Sequence, residues 1–301
     1  MRVGAVDIGT NTAKLLIADV SRADIDIIVE PIHRAVTITG LGRGVERNRM
    51  LDPAAMGRAV AVLRGYGAAA ARFNCDSMLA VATAAVRLSS NGPEFLDRAQ
   101  TALGARPLLL DGDDEAALAF RGARFGLDVE PPVLLVDPGG GSTELAMGKT
   151  KPEFGVSLDV GSRRITERRL ARVPVASGAI AAARSDVADL LDDVTLPERP
   201  ASVVGIGGTL TTLGALALGT SSVAHGSLLP IETITSTIGL LAAMSTEQIA
   251  RIPGVPPGRA DVLLGGAVIV EQVMVHADAA EIIVSSGGLI DGLALEAAEN
   301  L

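Results

Sequence analysis

Short apolar runs alternate along this chain with longer segments of helical spacing. Residues 2–6 are apolar and lead into the polar turn 7–12, after which apolar residues resume over 13–20. This pattern predicts two buried strands joined by a glycine-containing turn. Residues 52–73 are rich in alanine at helical spacing, with Asp52 as a predicted N-cap and Pro53 at the first helical position. Further strands are predicted at 25–32, 78–82 and 107–110, and further helices at 92–102 and 113–125.

The pattern restarts at residue 132, where an apolar run ends at Asp137 and a second glycine-rich turn follows. An offset of 130 residues aligns the two turns, pairing Asp7 with Asp137, Gly9 with Gly139, Thr12 with Ser142 and Leu15 with Leu145. Strands are then predicted at 154–160, 203–206 and 282–284, and helices at 162–171, 177–194, 207–218, 236–243, 245–252, 259–275 and 289–300. The sequence therefore predicts a mixed α/β protein with two similar halves.

Composition narrows the class of protein further. A length of 301 residues favours two domains, and a net charge of −9 argues against a broad basic face for nucleic acid. The single cysteine, Cys75, rules out an intrachain disulfide and fits a reducing cytoplasm. Residues 201–224 carry no charge, but their glycine, serine and threonine content favours a strand, a turn and a helix over a membrane span. We expect a cytoplasmic protein with neither nucleic acid nor membrane as a partner.

The second turn has the composition of a phosphate-binding loop. Residues 137–144 are Asp-Pro-Gly-Gly-Gly-Ser-Thr-Glu. Glycines leave backbone N–H groups unobstructed, and serine and threonine add hydroxyl donors. Three glycines exceed what a two-residue hairpin turn requires. The segment therefore favours phosphate binding over a plain solvated turn.

Asp7 opens the matching turn, which continues through Gly9, Thr10, Asn11 and Thr12. A carboxylate at the end of a buried strand is costly unless a cation or hydrogen-bond donors meet it. Mg²⁺, bound partly through water, is suited to this position beside phosphates. We expect a magnesium ion near these acidic turns.

Three further segments leave alternatives open. The acidic segment 111–115 opens a predicted helix, so its acids suit either helix capping or the activation of water by Glu115. Arg87, which follows Thr83 after a short strand, suits either a bidentate phosphate clamp or a helix surface. The arginines at 163, 164, 168, 169 and 172 suit either a polyanion track or a solvated helix face.

Several common catalytic designs are missing from the sequence. The three histidines lie far apart, no H-E-x-x-H spacing occurs, and no Ser-His-Asp triad is indicated. The chain also lacks the G-x-x-x-x-G-K-[ST] loop and a strand-linked G-x-G-x-x-G. P-loop and Rossmann nucleotide-binding proteins are thereby excluded.

The motifs taken together resemble the exopolyphosphatase/guanosine-pentaphosphate phosphohydrolase (Ppx/GppA) family of the actin–hexokinase superfamily. The resemblance rests on the segments VDIGTNTAKLLIADV at 6–20, VATAAVRLSSN at 81–91, GDDEAALAF at 112–120, VDPGGGSTEL at 136–145, SLDVGSRRITE at 157–167, VGIGGTLTTLGAL at 204–216, GRADVLLGGAVIV at 258–270 and VSSGGLIDG at 284–292. Their order and spacing cover almost the whole chain.

The resemblance implies a role for each matching position. Glu115 resembles the family's catalytic base, and Asp137 and Glu144 resemble its metal-organising acids, with Asp7 assisting. The implied phosphate-binding residues are Gly9, Thr10, Asn11, Thr12, Thr83, Arg87, Gly139, Gly140, Gly141, Ser142, Thr143, Gly207, Gly208 and Thr209.

The chain departs from the family pattern at three points. Pro138 stands where the family usually has isoleucine, which removes a backbone donor, and Ile290 stands where it commonly has arginine. The chain also lacks the C-terminal helical extension of longer relatives. Short polyphosphates or a nucleotide therefore become more plausible substrates than long chains.

The resemblance implies two ribonuclease H-like (actin-like ATPase) domains with mixed sheets flanked by helices and an active site in the interdomain cleft. The expected domains are residues 1–122, joined by the helix 292–301, and residues 123–291. The implied activity is magnesium-dependent hydrolysis of terminal phosphate from polyphosphate or from pppGpp, the stringent-response nucleotide, and relatives are often homodimers. The alternatives are a non-catalytic (p)ppGpp sensor and a small-molecule kinase of the same superfold.

Overall fold

A computed structural model describes residues 1–10, 12–23, 26–172 and 174–299. The chain forms two compact units. Met1–Gly122 and the C-terminal segment from Leu289 make the first unit, and Ala123–Gly288 makes the second. The C-terminal segment joins the first unit from Leu289, where its helix begins, rather than from residue 292.

The first unit contains a mixed sheet whose described strands lie in the order β3-β2-β1-β4-β5. The strands are β1 (Arg2–Ile8), β2 (Thr12–Ala23), β3 (Asp26–Ile38), β4 (Ser77–Ala82) and β5 (Leu108–Leu109). β1 runs antiparallel to β2 and parallel to β4, and β4 runs parallel to β5. β1 is buried on both faces, which explains why it is a continuous apolar run and not an alternating one.

Helices cover both faces of this sheet. They are α1 (Val45–Asn48), α2 (Pro53–Arg72), α3 (Ala84–Arg87), α4 (Gly92–Leu103) and α5 (Gly112–Arg124), together with the last helix of the chain, α12 (Leu289–Glu299). Asp52 caps α2 as predicted, because its side chain accepts a hydrogen bond from the Ala55 N–H at 2.8 Å. One face packs against α2 and α4, and the other packs against α12, where Ile290 lies in the core. Ile290 is therefore a packing residue in this chain.

The second unit repeats this plan. Its strands are β6 (Val133–Pro138), β7 (Thr143–Gly148), β8 (Pro152–Leu158), β9 (Ser202–Gly205), β10 (Ser227–Pro230) and β11 (Glu281–Val284). In the described residues their order is β10-β11-β9-β6-β7-β8. The hairpin β6–β7–β8 thus corresponds to β1–β2–β3, and the parallel neighbours β9 and β11 correspond to β4 and β5.

The helices of the second unit pack around a core of aliphatic side chains. They are α6 (Ser162–Ile165), α7 (Ser177–Asp192), α8 (Gly207–Ala217), α9 (Ile231–Ala242), α10 (Thr246–Ile249) and α11 (Leu263–His276). Residues 202–217 form strand β9 and helix α8, as the sequence predicts. Among the described helices none is long and apolar enough to cross a membrane.

Several predicted boundaries in the second unit were wrong. The helix predicted from residue 259 begins at Leu263, because residues 256–262 form successive turns around Gly258, whose φ is +78°. The helix predicted from 236 begins at Ile231, and the helix predicted over 162–171 becomes a π-helix at Thr166–Leu170. Strand β10 was not predicted, since it has only four residues and ends in proline.

Candidate active site

In the first unit, the predicted site residues lie where parallel strands end. Asp7 is near the carboxyl end of β1, Thr83 directly follows β4, and Asp111 follows β5. Carboxyl ends of adjacent parallel strands meet at one edge of a sheet, where α/β proteins bind ligands. Thr83 is buried at the start of α3, and its backbone N–H donates to the Ile8 carbonyl of β1. The topology therefore gathers three sequence-distant segments at one edge.

Asp7 forms an ion pair that sequence reasoning missed. Lys14 lies directly opposite Asp7 across the β1–β2 hairpin, and its Nζ is 3.3 Å from Asp7 Oδ2. Asp7 Oδ1 is buried, and no described residue donates a hydrogen bond to it. Burial raises the pKa of the Asp7 carboxyl above its usual value, while Lys14 acts in the opposite direction. The only sequence signal for Lys14 was its hairpin register with Asp7.

The turn after Asp7 is held by its own backbone. The Gly9 N–H donates to the Thr12 carbonyl at 2.9 Å, and the Gly42 N–H donates to the Thr10 carbonyl at 2.7 Å. The Thr10 side chain is exposed and borders a pocket of about 470 Å³. The predicted residue Asn11 lies outside the described residues. Gly9, Thr10 and Thr12 thus form a tight turn at the edge that carries Asp7.

Arg87 and Glu115 are neighbours in the structure. Arg87 Nη1 donates to the Leu110 carbonyl at 2.5 Å and to Glu115 Oε2 at 3.4 Å. No described residue accepts a hydrogen bond from Arg87 Nε or Nη2, so those donors remain for a ligand. Each side chain of the pair is about one-third exposed, at 33% and 34%. Arg87 is therefore a paired residue of the site edge and not a solvated helix residue.

Glu115 lies in the first turn of α5, where it faces Arg87. Burial raises the pKa of the Glu115 carboxyl, Arg87 lowers it, and the nearby Asp7 raises it. A carboxylate with a raised pKa accepts protons more readily at neutral pH, as a general base must. The neighbouring Asp111 caps the helix, because its Oδ1 accepts a hydrogen bond from the Asp114 N–H at 2.9 Å. Helix capping is therefore observed at Asp111, whereas the activation of water by Glu115 stays a prediction.

In the second unit, two acids occupy the equivalent positions. Asp137 and Glu144 lie directly opposite each other across β6 and β7, in the register that Asp7 and Lys14 occupy in the first unit. Directly opposed residues point to the same face, with Cβ atoms about 5 Å apart. Glu144 Oε1 accepts hydrogen bonds from Ser142 Oγ at 2.6 Å and Ser157 Oγ at 3.0 Å. The repeat thus replaces the cation of the first unit by a second carboxylate.

The glycine turn of the second unit is oriented by α6. The Gly139 carbonyl accepts from the Ser162 N–H at 2.9 Å, and the Gly140 carbonyl accepts from the Arg163 N–H at 3.0 Å. In a trans peptide the carbonyl and the following N–H point in opposite directions. The N–H groups of Gly140 and Gly141 therefore point away from α6, and no described residue accepts from them. A methyl group at Gly161 would collide with the Gly140 backbone, so glycine there permits this close approach.

The turn at Gly207, Gly208 and Thr209 begins α8 and lies beside Asp137. Gly207 has a φ of +81°, and a Cβ there would lie 2.5 Å from Asp137 Oδ1. A Cβ at Gly208 would overlap the guanidinium of Arg259. Burial lowers the pKa of Arg259, while the nearby Asp137 raises it. Arg259 was not predicted individually, although its segment was part of the family resemblance.

Three predicted phosphate ligands have other roles for their hydroxyls. Thr143 Oγ1 is buried and donates to the Val160 carbonyl at 2.7 Å, and Thr209 Oγ1 is buried and donates to the Pro138 carbonyl at 3.1 Å. The Ser142 hydroxyl donates to Glu144. A hydroxyl has one proton to donate. These three hydroxyls therefore stabilise the turns in this structure, and the role of the three residues in phosphate binding stays a prediction.

The predicted magnesium site, with Asp7, Asp137 and Glu144 as its acids, stays a prediction. The part of the chain that the structure describes contains no group of three or more His, Cys, Asp or Glu side chains that could hold a metal ion. The acidic pair Asp137 and Glu144 of the second unit supplies carboxylate oxygens suited to Mg²⁺. Mg²⁺ is commonly bound by one or two carboxylates with water and substrate phosphates. The residues present fit that mode of binding.

The arginine-rich segment after β8 is largely paired. Arg163 binds Asp261, Arg164 binds Asp159, and Arg168 and Arg169 both bind Asp186. Four of the five arginines therefore have carboxylate partners on the protein. This favours the solvated helix face over a polyanion track.

Fold and site together define a class of protein. Both units have the mixed sheet, flanking helices and acidic hairpin turn of the actin-like ATPase fold. Within that class, the model of the Ppx/GppA phosphatase family matches residues 17–301. The chain belongs to the Ppx/GppA phosphatase family, which confirms the resemblance drawn from the motifs.

Individual relatives agree with this assignment. Exopolyphosphatase 2 of Mycobacterium tuberculosis is 34% identical over 314 aligned positions, which cover 99% of this chain and 98% of the relative. The crystal structure of the Aquifex aeolicus Ppx/GppA phosphatase matches with a TM-score of 0.86 at 29% identity, covering 98% of this chain and 99% of that one. An exopolyphosphatase structure from Cytophaga hutchinsonii matches with a TM-score of 0.79 at 25% identity, covering 100% and 99%. The family and these relatives identify the chain as a phosphohydrolase.

Proposed function

We propose that this protein hydrolyses the terminal phosphoanhydride bond of short inorganic polyphosphates and of pppGpp, with Mg²⁺ as cofactor. The observation that carries the proposal is the turn at Gly139–Gly141, whose carbonyls are bound to α6 and whose opposite N–H groups lack acceptors among the described residues. Converging N–H groups beside a carboxylate pair are an arrangement suited to a phosphoryl group. The exopolyphosphatase names of the relatives support polyphosphate as a substrate.

The polar groups of the first unit have distinct roles in the proposed reaction. Lys14 and the unused donors of Arg87 neutralise charge on the phosphate chain, and Glu115 orients a water and accepts its proton. The water oxygen forms a bond to the terminal phosphorus while the bridging P–O bond breaks. The electron pair of that bond leaves with the shortened chain, which departs as an anion. In the second unit, the Gly140 and Gly141 N–H groups and Arg259 are donors suited to phosphate oxygens.

Asp137 and Glu144 are the residues that would hold the magnesium ion. When bound, Mg²⁺ neutralises charge on the phosphate oxygens and assists departure of the leaving group. The protein prepares for this by orienting Glu144. Two serine hydroxyls donate to its Oε1 and so fix the orientation of the carboxylate.

Phosphate release from tripolyphosphate, long-chain polyphosphate and pppGpp tests the proposal, with and without EDTA. We expect release from the short substrates, loss of release in EDTA and recovery with excess Mg²⁺. Glu115→Gln should bind substrate but release phosphate about 10²-fold more slowly, as for a lost general base. The proposal fails if tripolyphosphate and pppGpp both remain intact in Mg²⁺, or if Glu115→Gln retains the wild-type rate.

A further inference from the structure

Two apolar side chains are exposed at the site end of the first sheet. Val36 and Ile38 on β3 are 66% and 76% exposed, although both are aliphatic. Val36 lies directly opposite Lys14, and Ile38 lies directly opposite Thr12. Exposed aliphatic side chains that cluster beside a candidate site indicate a binding surface, whereas single scattered ones are ordinary on protein surfaces.

The strand register places these side chains on the same face as Asp7. Asp7, Lys14 and Val36 are consecutive cross-strand partners on β1, β2 and β3. Adjacent strands are about 4.8 Å apart, so Val36 lies about 10 Å from Asp7 along the sheet. The opposite face of β3 is occupied, since the Tyr66 hydroxyl of α2 donates to Thr37 Oγ1 at 3.0 Å.

Helix α12 covers this face of the sheet, but its contacts with β3 end just before Val36 and Ile38. Helix α12 packs on it as far as Arg34, whose guanidinium binds Asp291 in the first turn of α12. Val36 and Ile38 lie beyond that ion pair. They therefore form an apolar wall beside the phosphate-binding turn and Lys14, defined here as the β3 wall.

The chemistry of the β3 wall does not match a phosphate chain. Every part of a polyphosphate is charged and strongly hydrated, so it gains nothing from aliphatic contact. A nucleoside has a flat base and a ribose, whose contact with aliphatic side chains removes apolar surface from water. The cation Lys14 stands between the wall and Asp7, where it would meet the phosphates that connect a nucleoside to the reacting phosphoryl group.

We infer that the β3 wall binds the nucleoside of a nucleoside polyphosphate whose terminal phosphate is held beside Asp7 and Lys14. The inference rests on the proposed function and adds residues that discriminate nucleotide from inorganic polyphosphate. The ligand of the β3 wall is therefore a nucleoside. A second copy of the chain on this edge strand is the competing outcome.

The test compares wild type with the double variant Val36→Thr/Ile38→Thr, which keeps β-branched side chains and adds hydroxyls. We expect KM for pppGpp to rise about tenfold with kcat nearly unchanged, corresponding to about 1.4 kcal/mol. KM for tripolyphosphate should not change. Ile28→Thr is the matched control, because Ile28 is an exposed aliphatic residue of the same strand opposite Ser21 and away from the site. It should leave both substrates unaffected.

A binding measurement separates this inference from the proposed function. Calorimetric titration of pppGpp into Glu115→Gln, with and without the double substitution, should show about tenfold weaker binding with it, whether or not wild type turns over. The inference is overturned if pppGpp binding is unchanged, or if both substrates weaken equally. It is also overturned if the double variant only changes the oligomeric state seen by light scattering. If wild type leaves both tripolyphosphate and pppGpp intact in Mg²⁺ while the double substitution still weakens pppGpp binding, the proposed function alone is rejected.

Discussion

The interaction between Arg87 and Glu115 makes a quantitative prediction about pH dependence. Burial raises the pKa of Glu115, and Arg87 partly opposes that effect. Replacing Arg87 by glutamine removes the opposing charge, so the pKa of Glu115 should rise further. A general base works only when it is deprotonated, and the acid limb of the kcat–pH profile should therefore move to higher pH.

The size of this displacement follows from the geometry. The two charged atoms are 3.4 Å apart, and each side chain is about one-third exposed. Coulomb's law gives about 1.2 kcal/mol at that distance in a water-like dielectric, and more where the dielectric is lower. About 1.36 kcal/mol corresponds to one pH unit. We expect the acid limb of Arg87→Gln to lie about one pH unit above that of wild type.

The assay is phosphate release from saturating tripolyphosphate from about pH 4 to pH 9, which includes the ordinary glutamate pKa and pH values above it. Arg87→Lys is the matched control, since it retains a positive charge and should keep most of the wild-type acid limb. Because the substrate is saturating, weaker substrate binding by a variant does not move the acid limb. An acid limb at the same pH in wild type and Arg87→Gln would refute the assignment of Glu115 as the titrating base.

Three other predictions concern residues that shape the site or its support. Asp7→Asn should raise the free energy of unfolding at neutral pH by about 1 kcal/mol, as measured by calorimetry, because the cost of burying the charged carboxyl outweighs its pairing with Lys14. The same variant should release no phosphate. The pKa of Asp7 is raised in the folded state, so its destabilising effect appears as pH rises above the unfolded value, and the stability difference between variant and wild type should shrink in acid. Gly207→Ala should lower kcat at least tenfold, because the new Cβ would lie 2.5 Å from Asp137 Oδ1 at a φ of +81°. Its far-ultraviolet circular dichroism spectrum should match that of wild type. An unchanged kcat would contradict this prediction. Gly292→Ala should destabilise the protein by about 1–3 kcal/mol in urea titration, because its Cβ would overlap a carbonyl oxygen of the facing helix α5, whereas Gly57→Ala, with open space, should not.

The pattern of apolar and polar residues predicted local structure correctly where a segment's conformation depends mainly on its own residues. The cap at Asp52 and the strand that carries Asp137 near its end followed from side-chain chemistry and apolar run length. The same pattern misplaced a helix boundary where the backbone conformation of adjoining residues decides where the helix begins. The apolar stretch from Arg259 resembled a helix, yet the positive φ of Gly258 keeps its first residues in turns, with Arg259 beside Gly208.

The candidate site divides in the same way. The glycine turns and the acids at 7, 115, 137 and 144 stand out in the sequence, because their chemistry is rare at the end of an apolar run. Ser157 carried no such signal, although its hydroxyl orients Glu144. The same holds for Val36, which is an ordinary strand residue until its register opposite Lys14 is known.

The amino-acid sequence by itself determined the duplicated α/β plan, the family and the two glycine-containing turns that follow Asp7 and Asp137. These depend on local periodicity, on glycine's freedom of backbone conformation and on a repeat visible at an offset of 130 residues. Only the tertiary structure decided that Asp7 faces a lysine while Asp137 faces a glutamate, that two threonine hydroxyls are used internally, and that Arg87 pairs with Glu115. The physical reason is that such contacts depend on strand register and on the packing of segments distant in sequence, and no local pattern encodes either.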